Sequence, residues 1–258
     1  MDLSDEPKAT LDLTHVLYDA SSHVSLALAL ITLSPILLMV RSILLHTRRC
    51  LPTRPKASYA ILAVFTRELT IINMWAGQLL CEGFNWVIKR LVKEQRPAGS
   101  VGNGYGFPSS HSQYMAYFAL FLVLHFHFRH RFVPFGSWAA DKAFTLFVHV
   151  AFISWAVIVA YSRYYLSYHS IAQVLWGVSI GLVFGGAYYL VTELIPMRHP
   201  KSMLGRGRVF LLSNPVSTWL RIRDGWDVWA DSGTEEHWQL WRKEWERRAQ
   251  SAQAKKIR

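Results

Sequence analysis

Apolar positions in this chain fall into long, nearly uncharged runs, without the alternation of a half-buried strand or the single stripe of a surface helix. The runs are Val24–Leu45, Leu69–Ile88, Ser112–Phe128, Ala143–Tyr161 and Ile171–Val191. Each is about long enough to cross a bilayer as a helix, which takes roughly 20 residues at about 1.5 Å rise. As core helices of a soluble domain they would leave little amphipathic helix to cover them. The pattern predicts an all-α fold, a polytopic membrane helix bundle of about 5–6 transmembrane helices. Three segments follow: an N-terminal segment over 1–23, a transmembrane domain over 24–195 and a basic, Trp-rich tail over 196–258. The stretch from Ser58 to Thr70 reads two ways. Arg67 and Glu68 interrupt apolar residues that begin at Tyr59, so this is either one helix projecting from the membrane or two short elements.

Composition sharpens the picture. An apolar fraction of 52 % is high for a chain of 258 residues with net charge +11, and segregation of the charge into loops and tail resolves the tension. The first twenty residues are acidic (Asp2, Asp5, Glu6, Asp12 and Asp19 against Lys8), so no cleavable signal peptide is expected. Cys50 and Cys81 lie far apart, which disfavours a disulfide framework or a cysteine metal site.

Positive charge orients membrane proteins toward the cytoplasm. Arg48, Arg49, Arg54 and Lys56 follow the first run, Arg129, Arg131 and Lys142 follow the third, and the tail is basic throughout. With five spans these segments share the cytoplasmic side, and the acidic N-terminus lies opposite. Lys89, Arg90, Lys93 and Arg96 break the rule, because they fall on the opposite, lumenal or extracellular face. Binding an anion there would explain them.

Three clusters share that face. In Lys89…Arg96-Pro97 the spacing of seven equals about two helical turns, so both cations are expected on one helix face until Pro97 ends it. Taken alone, such charges commonly snorkel to headgroups. Pro108-Ser109-Ser110-His111 opens the third apolar run, and Ser109 or Ser110 is expected to cap that helix. Ser162-Arg163 closes the fourth run, with His169 six residues later. A lone histidine at a helix start is usually structural. Two at neighbouring helix mouths beside three cations suit phosphoryl transfer, in which imidazole serves as nucleophile or proton donor and cations hold the phosphoryl oxygens. No set of Asp, Glu and His with metal-ligand spacing lies on this face, where Glu94 is a solitary carboxylate, so no metal or other cofactor is expected. The glycines of "GSVGNGYG" fit a flexible covering loop, and no Gly-Lys-Ser/Thr follows them.

The ordered motifs K-x6-RP, PS-x-H and SR-x5-H, spanning roughly Lys89 to Gln173, resemble the type 2 phosphatidic acid phosphatase (PAP2) superfamily. The run Glu82-Gly83-Phe84-Asn85-Trp86, the run "SRYYLSYHSIAQVLWG" and the "LRIRD" of the tail are similar to its dolichyldiphosphatase branch. The resemblance implies that His169 attacks the terminal phosphorus to form a phosphohistidine, while His111 protonates the leaving oxygen and later activates water. By the same resemblance Lys89, Arg96 and Arg163 neutralise the phosphoryl oxygens, with hydrogen bonds from Ser109 and the Ser110 and His111 amides. Two positions depart from the superfamily: Ser110 stands where Gly is common, and Gln173 where most members carry Asp. Four residues after His169, Gln173 can accept the ring N–H and fix the tautomer without supplying a charge. The implied activity is hydrolysis of dolichyl diphosphate to dolichyl phosphate and phosphate at the lumenal surface of the endoplasmic reticulum, recycling the carrier of N-glycosylation. The rivals are a broader lipid phosphate phosphatase, another polyprenyl diphosphatase, and a non-enzymatic transporter or scaffold that binds phosphate lipids.

In the tail, Trp238, Trp241 and Trp245 recur at helical spacing behind Thr234, a candidate cap. That helix either lies on the cytoplasmic leaflet or packs on the ends of the bundle. Membrane tethering argues against nucleic acid as a partner of so basic and aromatic a tail. The closing Lys255-Lys256-Ile257-Arg258 resembles a dilysine retrieval signal read by coat proteins on a cytosolic C-terminus.

Overall fold

A computed structural model describes residues 8–11, 16–19, 22, 24–31, 57–100 and 104–256. The expected run Val24–Leu45 is helical over 24–31 (α1), and its remainder, Cys50 and the last two residues of the dilysine-like end lie outside the described residues. The other helices are α2 (Ala57–Thr66), α3 (Leu69–Val92), α4 (Ser110–Phe128), α5 (Trp138–Tyr165) and α6 (Ile171–Tyr189). A π-helical turn, Leu190–Leu194, joins α6 to the short α7 (Ile195–Arg198). The tail forms α8 (Met203–Ser213), α9 (Pro215–Leu220), α10 (Gly225–Val228) and α11 (Thr234–Lys256). One feature departs from a purely helical fold. Within the acidic N-terminal segment, β1 (Lys8–Leu11) and β2 (Val16–Asp19) pair antiparallel, with Lys8 opposite Asp19.

Among the described residues, two helices are long and apolar enough to cross a membrane: α5, with mean hydropathy 2.2, and the continuous Ile171–Arg198, with 1.7. The expected runs Leu69–Ile88 and Ser112–Phe128 do form helices, α3 and α4. They are less apolar because they carry polar side chains that the bundle buries, Gln78 and Asn85 on α3 and Ser112, Gln113 and His125 on α4. α5 is the reverse. Its Leu146, Phe147, Val150, Ile153 and Val157 all face outward, as lipid contact requires.

Packing brings two helix starts together. Gly177, Gly181 and Gly185 recur every fourth residue along α6 and face α4. A Cβ at Gly177 would lie 2.6 Å from the Ser109 carbonyl oxygen, and one at Gly181 would collide with the Gln113 carbonyl. Small residues at this spacing let helix backbones approach closely in a membrane. The contact also lets the Ser109 N–H donate to the Gln173 carbonyl at 3.1 Å, which locks the mouth of α4 to that of α6. The core beneath contains Met74, Cys81, Met115, Tyr117, Phe121 and Tyr189.

The ambiguous stretch from Ser58 to Thr70 resolves into two elements. α2 ends at Thr66, Arg67 takes a left-handed φ of 56°, and α3 begins after Glu68. Glu68 turns inward, where its carboxylate accepts from Arg223 Nε at 2.7 Å, Ser232 Oγ at 3.0 Å and Gly225 N at 2.8 Å. Beside it, the side chains of Arg129 and Arg208 clasp Glu193, supplied by the π turn, and Asp224. Trp226 Nε1 donates to His130 Nδ1 at 3.0 Å. The tail is therefore pinned by residues 223–232 to the end of the bundle where α3 begins and α4 ends. Trp238, Trp241 and Trp245 of α11 are about half exposed, and the tryptophan that bonds to the bundle is Trp226. The expected Thr234 cap is corrected: Asp231 accepts the Gly233 and Glu235 amides instead, and Thr234 donates to the Asp231 carbonyl.

Candidate active site

At the other end of the bundle, α3 and α5 finish where α4 and α6 begin, and all eight expected site residues gather there. α3 stops earlier than its sequence suggests. It ends at Val92, and Lys93 turns the chain with a left-handed φ of 53°. Lys89 therefore sits on the helix while Arg96 reaches in from an extended loop, which corrects the expectation of one shared helix face. Both cations are held by loop carbonyls, Lys89 Nζ by Tyr105 at 3.1 Å and Arg96 Nε by Gly104 at 3.2 Å. Residues 101–103 of the glycine-rich loop lie outside the described residues.

The capping expectation for α4 is also corrected. Ser109 has the extended backbone of a cap, yet its hydroxyl makes no capping bond. It accepts from Ser112 Oγ at 2.9 Å, keeping its own proton to donate, while Ser110 Oγ donates to Asn85 Oδ1 at 3.1 Å. The amides of this first turn are not answered by a side-chain cap, which suits an anion. His111 follows in the same turn, at the mouth of α4. Asn85 is itself held by Gln113 at 2.7 Å, and Gln113 by the Cys81 carbonyl at 3.0 Å. Sequence reading grouped Asn85 with a motif and missed its role, because the partner Gln113 stands 28 residues away.

Arg163 is buried at the end of α5. Its guanidinium lies 4.1 Å from the centre of the Tyr168 ring, and its Nε and Nη1 have no hydrogen-bond partner among the described residues. A buried, unanswered guanidinium is costly unless an anion completes it.

His169 precedes α6, whose start carries a capping box: Ser170 Oγ accepts from Gln173 N and Gln173 Oε1 accepts from Ser170 N. Gln173 Oε1 also lies 3.3 Å from His169 Nδ1, and Arg96 Nη1 lies 3.5 Å from His169 Nε2. A carbonyl oxygen only accepts and a guanidinium only donates. The arrangement therefore selects the tautomer with its proton on Nδ1 and a lone pair on Nε2. Burial, and then the charges of Arg96, Arg163 and Lys89, push the imidazole down to about 3, against the opposing pull of the Gln173 hydrogen bond. Burial, with Arg96 adding to it, brings the Lys89 ammonium down to about 8. The site thus presents a neutral imidazole with its lone pair toward a cationic pocket, an arrangement able to attack an anionic electrophile. Among the described residues no group of His, Cys, Asp and Glu is arranged to hold a metal ion.

Residues 14–195 match the PAP2 superfamily. The chain is 32 % identical to a putative dolichyldiphosphatase of Neurospora crassa, over 87 % of this chain and 93 % of that protein. It is 32 % identical to dolichyldiphosphatase 1 of Homo sapiens, over 82 % and 80 % respectively. Against the dolichyldiphosphatase of Saccharomyces cerevisiae the identity is 30 %, over 71 % and 70 %. No solved structure matches the chain. Motif order, helix-end geometry and a match over most of the chain agree: this protein belongs to the PAP2 superfamily.

Proposed function

We propose that this chain is a membrane-bound phosphatase that hydrolyses dolichyl diphosphate to dolichyl phosphate and inorganic phosphate. The substrate follows from the relatives named dolichyldiphosphatase. The observation that carries the chemistry is the placing of the His169 ring, its Nδ1 against the Gln173 carbonyl oxygen and its Nε2 toward Arg96. Nε2 attacks the terminal phosphorus, a P–N bond forms, and the bond to the bridging oxygen breaks. His111 gives its proton to the departing dolichyl phosphate. It then takes a proton from water, whose oxygen attacks the phosphohistidine and frees phosphate and His169. Lys89, Arg96 and the unanswered Arg163 neutralise the phosphoryl oxygens, and Ser109 Oγ with the Ser110 and His111 amides donates to them.

The polyprenyl chain stays in the bilayer, so its headgroup has to be met at helix ends. The distribution of basic loops favours a lumenal site in the endoplasmic reticulum and a cytosolic tail, in which Lys255 and Lys256 serve as a retrieval address for coat proteins. On this topology the α3 and α4 helices also cross the membrane.

The experiment for substrate class compares dolichyl diphosphate, phosphatidate and sphingosine phosphate in detergent. The diphosphate is expected to turn over at least about tenfold faster, since a phosphate ester is a better leaving group than an alkoxide. Equal rates on all three would mark a broad lipid phosphate phosphatase, and no turnover would mark a phosphate-lipid transporter or scaffold. A pH dependence also follows. Lys89 is a useful cation only while protonated, so kcat/KM is expected to fall as pH rises through about 8. Lys89→Arg is expected to move that alkaline limb upward, because guanidinium stays charged. A pH profile of both proteins checks it.

A further inference from the structure

The Gln173 carboxamide is buried and bonded at both ends. Its Oε1 receives the Ser170 amide and His169 Nδ1, each at 3.3 Å. Its Nε2 donates to Glu94 Oε1 at 2.8 Å and to the Gln95 carbonyl at 2.9 Å. The two ends of a carboxamide are alike in shape and opposite in hydrogen bonding. Were the amide turned over, NH₂ would face His169, Nδ1 would have to accept, and the ring proton would move to Nε2. That would remove the lone pair needed for attack. Both partners of Nε2 can only accept, and the carboxylate is the stronger because it is charged.

We propose that Glu94 is a positioning residue for the reaction: its carboxylate holds the Gln173 amide in the orientation that keeps the His169 proton on Nδ1, and it polarises that amide as positive charge develops on the ring. A carboxylate thus serves the histidine from one residue further out, in a site where the adjacent acceptor is an amide.

The local backbone is shaped for this contact. The left-handed Lys93 turns the chain out of α3, and the Glu94 carbonyl accepts from Gly106 N at 2.8 Å. Gly106 lies flat on the amide, where a Cβ would come within 2.7 Å of Gln173 Nε2. The helix that pattern alone would carry to Pro97 ends early, and Glu94 reaches Gln173. The charged and titratable groups around the ring are otherwise Lys89 from α3, Arg96 from the loop, His111 from α4, and Arg163 and Tyr168 at the end of α5. Among the described residues Glu94 is the carboxylate that bonds to this group.

The inference rests on His169 as the attacking group. Its test uses Glu94→Gln, which keeps shape and loses charge, and Glu94→Asp, which keeps charge and shortens the side chain. Both are measured for hydrolysis of dolichyl diphosphate beside His169→Ala. Glu94→Gln is expected to lower kcat about tenfold with KM changed less than about twofold, at the low end for loss of a group that orients a working histidine. Glu94→Asp is expected to retain more kcat than Glu94→Gln. A merely structural contact predicts the opposite order, because glutamine matches the native shape. An unchanged kcat in Glu94→Gln, or Glu94→Gln outperforming Glu94→Asp, overturns the inference while loss of activity in His169→Ala leaves the site reading standing. Full activity in His169→Ala overturns both.

Discussion

Replacement of His169 by alanine is expected to lower turnover of dolichyl diphosphate by roughly 10⁴-fold or more, the scale seen when a nucleophile is removed from a unit that works as one. The geometry gives the reason. Among the described residues, His169 is the group whose lone pair its neighbours direct toward the cationic pocket, with the Gln173 carbonyl oxygen accepting on one nitrogen and Arg96 beside the other. The cationic pocket survives the substitution, so substrate binding is expected to persist while chemistry stops. Release of phosphate in detergent, paired with an equilibrium binding measurement, separates the two. If substrate binding disappeared with turnover, His169 would be an anchor for phosphate instead of its acceptor.

The second large effect concerns stability, at the far end of the bundle. Arg129 and Glu193 are essentially inaccessible to solvent, with side chains 1 % and 0 % exposed. Together with Asp224 and Arg208 they form a cluster of two cations and two anions, joined by Thr70 and Asn73. Removing one carboxylate leaves two buried cations sharing the other, one charge in excess, at a cost of about 3–5 kcal/mol. Glu193→Ala is therefore expected to lower the unfolding midpoint in detergent sharply and to expose the tail beyond Arg198 to protease. Arg208→Ala is expected to cost less, because that side chain is 11 % exposed and water can reach what remains. Wild-type stability in Glu193→Ala would mean that the cluster does not hold the tail. No member of the cluster belongs to the candidate site, so any Glu193→Ala protein that folds is expected to keep its kcat.

Some features were legible along the chain because they depend on long apolar runs and on the spacing of a few polar residues. The helices α3 to α6 follow the runs, and the eight site residues lie at one end of the bundle, as their places at the ends of those runs imply. What the pattern could not convey depends on contacts distant in sequence. α3 stops at Val92 and not at Pro97, although no glycine marks the stop: Lys93 turns left-handed, and the Glu94 side chain beyond it is bonded to Gln173, 79 residues on. Ser109 and Ser110 look like caps, but Ser112 and Asn85 engage their hydroxyls. The π turn at Leu190–Leu194 places Glu193 in the core, where it meets Arg129, and its short sequence of Leu, Val, Thr, Glu and Leu carries no local signal for it. The "LRIRD" of the tail offered only a resemblance. In the structure its Arg223 bonds Glu68 and its Asp224 bonds Arg129, so it is the tether that docks the tail.

In the proposed reaction phosphorus passes through His169. The most direct test is a rapid alkaline quench of the enzyme with dolichyl diphosphate labelled at the terminal phosphate, followed by identification of the labelled peptide. Base-stable, acid-labile label is expected on the peptide containing His169, and none in His169→Ala. Label on another residue, or undiminished phosphate release from His169→Ala, would contradict that reaction.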